Sequence, residues 1–335
     1  MTAEWIETII IGGGAAGLSA AQSLGRARRG VLVLDTGLPR NRFADRMHNV
    51  LGHDGVAPAE LLEIGRREAA EYDVRIESAA VRAVREPRDG EAAEGAGGAD
   101  RPGAGETRLV VELEDGRSIG TRAVVLASGV TDVLPEIPGL VEQWGRGVAH
   151  CPYCHGWEVR GERIAVLATS PMSLHQVQLL RQWTDDLTVF AAALGELPEE
   201  TLAELRARNI RLIEHPVAEV LGDESGVLRS VRTEDGRLHL IDALFTFGSI
   251  RPNDDMVAAL GLARAEAPFG SFLAVDPLGR TSHPRIWAAG NLVNPSGAVP
   301  LAVSSGSMAG GGVNLALAEA DFARAAATAA TGESR

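Results

Sequence analysis

Short apolar runs, each stopped by small or turn-forming residues, set the frame of this chain. Residues 8–11 are β-branched and apolar and end at Gly12-Gly13-Gly14-Ala15-Ala16-Gly17. Residues 18–29 carry apolar side chains at helical spacing up to Gly30, and residues 31–34 (Val-Leu-Val-Leu) read as a second strand closed by Asp35. Uninterrupted apolar strands are covered on both faces, as in a parallel sheet. A strand–turn–helix–strand order over roughly 30 residues therefore predicts a β-α-β crossover.

Residues 58–72 read as an amphipathic helix, 109–113 alternate as a strand should, and 123–127 form another buried strand stopped by Ser128-Gly129. Between them, residues 86–107 are rich in Gly, Ala, Glu and Asp, and we read them as a mobile surface loop. A second strand–helix–strand unit opens at residues 164–168, with its helix at 173–183 and its next strand at 187–191. The strand at 244–247 leads into Gly248-Ser249-Ile250-Arg251-Pro252-Asn253. Residues 286–291 (Ile-Trp-Ala-Ala-Gly-Asn) form a strand ending in a turn, ahead of a Gly/Ala/Ser-rich helix at 302–320. The second unit lies between parts of the first, which predicts an inserted domain at 135–247 flanked by 1–134 and 248–335. The fold class is α/β, with two Rossmann-like, three-layer ββα domains.

The chain has 335 residues, enough for two such domains. A formal net charge of −13 argues against wrapping nucleic acid or lying on an anionic membrane. No apolar run approaches the ~20 residues that span a bilayer. A strand-like segment starts at Trp5 with no basic stretch before it, so we expect no signal peptide and a cytoplasmic location.

Gly12, Gly14 and Gly17 fill a G-x-G-x-x-G pattern between strand and helix. The first permits the turn, the second lets backbone approach a pyrophosphate, and the third seats helix on strand. The helix N-terminus, with Ala16 in its first turn, then offers N–H groups and a partial positive charge to phosphates. Asp35, at the end of the next strand, is placed to take ribose hydroxyls. This predicts a bound dinucleotide without choosing between FAD and NAD.

The two cysteines of the chain are Cys151 and Cys154, in His150-Cys151-Pro152-Tyr153-Cys154-His155. Two sulfurs this close alternate between dithiol and disulfide when a base can form the thiolate, and a histidine titrates in the right range. A zinc site is the competing reading, weakened by the lack of a second cysteine pair. His48 and His53 are expected to be solvated or substrate-adjacent. Trp144 and Trp157, which bracket the motif, line a small apolar pocket or simply pack.

The N-terminal fingerprint, the central C-x-x-C and the segment Thr281…Ile286-Trp287-Ala288-Ala289-Gly290-Asn291 together resemble the thioredoxin-reductase-like flavoproteins. Gly248…Pro252-Asn253 is similar to the family's return into its FAD domain. The resemblance covers nearly the whole chain and implies FAD, with Gly12, Gly14, Ala16, Gly17, Asp35, Arg40, Gly290 and Asn291 as cofactor-binding residues, and a homodimer.

The departures point further. The family's second glycine loop is here Ala168-Thr169-Ser170-Pro171-Met172-Ser173, without the glycines that approach phosphate. The next strand runs into Ala191-Ala192-Ala193 where a cation cluster would hold the 2′-phosphate of NADPH. His155 stands where reductases usually place Asp, and Asn291 replaces the usual Asp near the flavin. The stretch 150–156, with Pro39-Arg40-Asn41-Arg42, resembles the branch of dithiol oxidases that close disulfides in sulfur natural products of the gliotoxin, holomycin and romidepsin type. That branch implies Cys151 as the outer cysteine, Cys154 against the flavin, and His150, oriented by Asn41, as base, with His155 as its rival. It also implies a small dithiol substrate, a holomycin-like dithiolopyrrolone first, with O2 as acceptor giving hydrogen peroxide. The alternatives are an NADPH-independent reductase fed by a ferredoxin-type donor and a non-catalytic flavin redox sensor. An ordinary NADPH-thioredoxin reductase ranks last.

Overall fold

The computed structural model describes residues 4–88 and 108–331, so the predicted loop at 86–107 lies outside the described residues from position 89 onward. The chain divides into two units: Met1–Arg40, Ala59–Thr131 and Ile250–Arg335 form one, and Asn41–Pro58 with Asp132–Ser249 form the other. Among the described residues the helices are α1 (Ala15–Arg26), α2 (Pro58–Ala70), α3 (Pro152–His155), α4 (Ser173–Leu180), α5 (Glu199–Ala207) and α6 (Val299–Thr331). None is long and apolar enough to cross a membrane.

In the first unit a parallel layer runs in the order Arg75–Ser78, Val31–Asp35, Glu4–Ile11, Ser118–Leu126, Ile286–Ala288. Successive side chains alternate between its faces. Ile10, Val33 and Val125 pack under α1 and α6, with Leu24 and Val313. Ile9, Ile11 and Leu34 face the other way, onto Val84 and Val111. Those two come from an antiparallel meander, because the start of Ser118–Leu126 pairs with Leu109–Leu113, and that strand pairs with Val81–Arg85. Helices, parallel sheet and meander are the three layers of the predicted ββα plan.

The second unit repeats the plan. Its parallel layer is Arg211–Ile213, Leu187–Phe190, Ile164–Leu167, Ala243–Thr246, Val148–Ala149. Leu180 of α4 and Leu205 of α5 cover one face, and the meander Val217–Gly222, Leu228–Thr233, Leu238–Leu240 covers the other. The chain passes between the units at 131/132 and 249/250, and Asn41–Pro58 groups with the second unit. Close approach of backbones explains that grouping. A Cβ on Gly145 (φ +80°) would fall 2.4 Å from Phe43 Cβ and 2.6 Å from its carbonyl oxygen, so only glycine lets the segment in.

α6 outruns its predicted span because its later turns are tied down by charge. Arg122, fully buried, donates to Asp321 (2.7 Å) and Glu7 (3.2 Å), and Arg29 reaches the same two carboxylates at 2.9 Å each. Burial alone would raise the Asp321 carboxyl, but Arg29 and Arg122 outweigh it and hold it below the usual carboxylate range.

Candidate functional site

The first glycine loop has a distinct demand at each position. A Cβ on Gly17 would fall 1.8 Å from Gly12 O, and one on Gly12 (φ +106°) would fall 2.4 Å from Ala127 O, so helix, turn and sheet touch through bare backbone. A Cβ on Gly14 would meet nothing within 4 Å. The helical ladder of α1 begins with Leu18 N–H donating to Gly14 O (2.9 Å), so the N–H groups of the first turn precede it. Two glycines in backbone contact, and one facing open space at a helix N-terminus, leave room in which a pyrophosphate could lie. Asp35 serves the turn itself: one oxygen accepts Gly13 N–H (3.0 Å), and the other lies 3.4 Å from Arg66 of α2. No signal in the sequence marks Arg66.

Ala16 is a packing node of this cradle. Its Cβ would be 2.9 Å from a Cβ on Gly290 (φ +72°), and its carbonyl 2.0 Å from one on Gly306 of α6. Gly290 N–H donates to Ser305 (2.9 Å), so α6 presents its first turns beside those of α1. Asn291 uses its amide to donate to the carbonyls of Asn294 (2.9 Å) and Gly297 (2.8 Å), and Arg40 donates to that of Pro295 (2.7 Å). Arg40 and Asn291, far apart in sequence, thus hold the same loop.

In the second unit, Cys151 caps the four-residue α3, with Pro152 fixing its first turn. The two Sγ atoms lie 2.9 Å apart without a disulfide, and both cysteines are half-buried. The Cys151 carbonyl accepts the N–H groups of Cys154 and His155, both at 3.2 Å. A Cβ on Gly156 would meet Pro152 O at 2.6 Å and the Trp183 ring at 2.8 Å, which fixes the turn that follows.

The two histidines are held differently. The carbonyl of His150 accepts from Gln176 of α4 (2.6 Å), and its ring stands edge-on to Phe247 at 4.8 Å. Gln176 is fully buried, and its helical pattern gave no hint of the role. Burial pushes the His155 imidazole below its ordinary value, Glu158 and the Cys151 backbone pull it back up, and His48 adds to the lowering. His48, expected to be solvated or substrate-adjacent, is half-buried between two carboxylates: Asp54 lies 3.3 Å from its Nδ1, and Glu158 lies 3.4 Å from its Nε2. Asn41 shares this unit, its carbonyl accepting Ala44 N–H at 3.1 Å. Trp144 packs on the core beneath the meander, whereas Trp157 is exposed under Arg160, at 4.2 Å. His53 closes a turn through its backbone, with Val50, and takes no part in the His48 chain. Among the described residues no three His, Cys, Asp or Glu side chains gather as metal ligands.

The second glycine-loop position is closed on itself. Thr169 N–H donates to the Ser173 hydroxyl (3.1 Å). The N–H groups of Ser173, Leu174 and His175 donate to the carbonyls of Ser170, Pro171 and Met172, at 3.0 to 3.2 Å. Pro171 has no N–H to offer. Four of the amides at this turn are thus spent inside it.

A family model for pyridine nucleotide-disulphide oxidoreductases matches residues 6–309. The chain is 31% identical over 332 residues to thioredoxin reductase sirT of Leptosphaeria maculans, covering 95% of this chain and 96% of that one. It is 30% identical over 317 residues to thioredoxin reductase tcpT of Claviceps purpurea, covering 92% and 93%. The crystal structure of HlmI superposes with a TM-score of 0.87 at 37% identity, covering 98% of each chain.

Proposed function

This chain belongs to the pyridine nucleotide-disulphide oxidoreductase family, and on that premise we propose that it is a dithiol oxidase closing an intramolecular disulfide in a small molecule, with O2 as acceptor. It is an FAD-binding, thioredoxin-reductase-like flavoprotein that acts on sulfur groups. The observation that carries the finer reading is the self-bonded turn at Thr169–Ser173, which uses several of its amides internally, has no glycine to approach a phosphate and loses one N–H at Pro171. In this reading electrons enter through the cysteines. The resemblance of residues 150–156 and Pro39-Arg40-Asn41-Arg42 to the dithiol oxidases makes a dithiolopyrrolone of the holomycin kind the first substrate class to try.

In this reading Gly12, Gly14, Gly17 and the start of α1 hold the FAD pyrophosphate, Asp35 faces its ribose, and Arg40 and Asn291 fix the loop beside it. Bound FAD supplies an acceptor for two electrons and a route from there to oxygen, with hydrogen peroxide as product. One substrate thiol loses its proton to a base, and the thiolate attacks Sγ of Cys151 in the Cys151–Cys154 disulfide. That S–S bond breaks, a mixed disulfide forms, and Cys154 leaves as thiolate. The second substrate thiol, deprotonated in turn, attacks the substrate sulfur of the mixed disulfide. Cys151 leaves as thiolate, the cyclic disulfide departs, and the enzyme keeps the electron pair as its dithiol. The base we assign is His155, which directly follows Cys154 and is held in the cysteine turn by its N–H bond to the Cys151 carbonyl (3.2 Å); burial lowers its imidazole, which favours the neutral form. His150, favoured by the resemblance, is the second candidate.

The test is anaerobic mixing of the yellow holoprotein with NADPH and, separately, with a small dithiol, following flavin absorbance. Bleaching by dithiol alone, with colour and hydrogen peroxide appearing on admitting air, is the expected result. Rapid bleaching by NADPH returns the protein to the reductases.

A further inference from the structure

The segment Asn41–Pro58 is a self-bonded loop that brings one imidazole to the cysteine motif. Met47 N–H donates to Val56 O (3.0 Å) and Gly55 N–H to Met47 O (2.9 Å), while Met47 and Val50 are buried. Asp54 accepts Asn49 N–H (2.8 Å) at a left-handed Asn49 (φ +61°), so its carboxylate is fixed by the loop's own backbone. It sits below its ordinary range, first through Asn49 and then through His48. From this anchor the His48 ring spans to Glu158, three residues beyond His155. Among the described residues, ionisable side chains that act on His155 include Glu158, from its own turn, and His48, from the loop.

We propose that His48 is a positioning residue for the redox site: braced by Asp54, it holds Glu158 where that carboxylate supports His155 as proton acceptor. The inference rests on the reading of His155 as base for the Cys151–Cys154 pair. Its logic is a competition of signs. Glu158 raises the His155 imidazole and His48 lowers it directly. If His48 acted only as a nearby charge, removing it would raise His155. If it acts by holding Glu158, removing it lowers His155, as removing Glu158 does.

The experiment uses FAD-loaded protein carrying histidine labelled with carbon-13 at Cε1, titrated by NMR, with the His155 signal assigned through His155→Asn. In both Glu158→Gln and His48→Gln the His155 pKa is expected to fall, by roughly 0.5 or more. The double variant is expected to fall no further than Glu158→Gln alone, because the two act through one contact. The pH profile of anaerobic flavin bleaching by dithiothreitol moves the same way. A rise or no change in His48→Gln, or a further fall in the double variant, overturns the proposal. If His48→Gln loses its flavin, Asp54→Asn makes the same test from the far end of the bridge: a fall supports it and an unchanged value sinks it. Failure of the oxidase reading shows separately, as wild-type flavin that dithiothreitol does not bleach, while the NMR arm still reports on His48.

Discussion

Thr169 N–H donates to the Ser173 hydroxyl at 3.1 Å, across the turn that in a nucleotide-binding unit would wrap a phosphate. Ser173 is fully buried, so the bond is part of the core of the turn and not a surface decoration. Removing the hydroxyl leaves a donor unmet without making a phosphate site, because Pro171 and Ala191-Ala192-Ala193 remain. Ser173→Ala is therefore expected to cost about 1–2 kcal/mol, seen as a fall of a few degrees in thermal unfolding. It should gain no flavin reduction by NADPH in stopped-flow absorbance; a gain would mean that the hydroxyl was the main barrier to the nucleotide.

The first glycine loop separates packing from binding. Gly17→Ala places a carbon where Gly12 O stands, and we expect no folded flavoprotein from it on expression and circular dichroism. Gly14→Ala points into open space, so the fold is expected to survive while FAD affinity falls at least ~10-fold, the effect of about 1.4 kcal/mol. Titration of apoprotein with FAD measures this. Equal affinity in Gly14→Ala would place the pyrophosphate elsewhere.

Asp321 is a long-range tie whose worth depends on pH. Its folded pKa lies below the unfolded one, so its contribution is present above about pH 4 and is lost as pH falls through the folded value. Asp321→Asn is expected to cost about 2–3 kcal/mol at pH 7, because the buried Arg122 loses a charged partner. The difference from wild type should shrink below pH 4. Urea unfolding at pH 7 and pH 3.5 measures both, and an undiminished difference at the lower pH would mean that packing, not charge, is what Asn disturbs.

The two histidines flanking the cysteines should separate in pH behaviour. With His155 as base and its pKa lowered by burial, flavin bleaching by a dithiol keeps its rate below pH 6.5 and falls only as that lowered pKa is crossed. His155→Asn should lose roughly 10²–10⁴-fold in rate and that acid limb. His150→Asn should keep the limb while slowing the reaction, since Gln176 holds this residue by its backbone carbonyl and not by its ring. Retention of the limb in His155→Asn, with its loss in His150→Asn, reverses the assignment.

The sequence by itself determined the parallel strands, the β-α-β units, the glycine turn between the first strand and helix, and the cysteine pair. These are local signals: uninterrupted apolar runs, glycines at fixed spacing, two sulfurs three residues apart. It also exposed the lost glycines of the second loop, since a missing residue type is legible without coordinates. What joins distant segments was decided only by the tertiary structure. Phe43 against Gly145 moved residues 41–58 to the second unit, and with them His48 to Glu158. Arg122 and Arg29 extended α6 by gripping Asp321. Gln176, a polar residue inside an apolar helix pattern, found its partner in the His150 carbonyl, and Arg40 and Asn291 met on one loop. Periodicity records which face of an element is buried, whereas a hydrogen bond or ion pair depends on what the fold brings opposite, and no spacing along the chain encodes that.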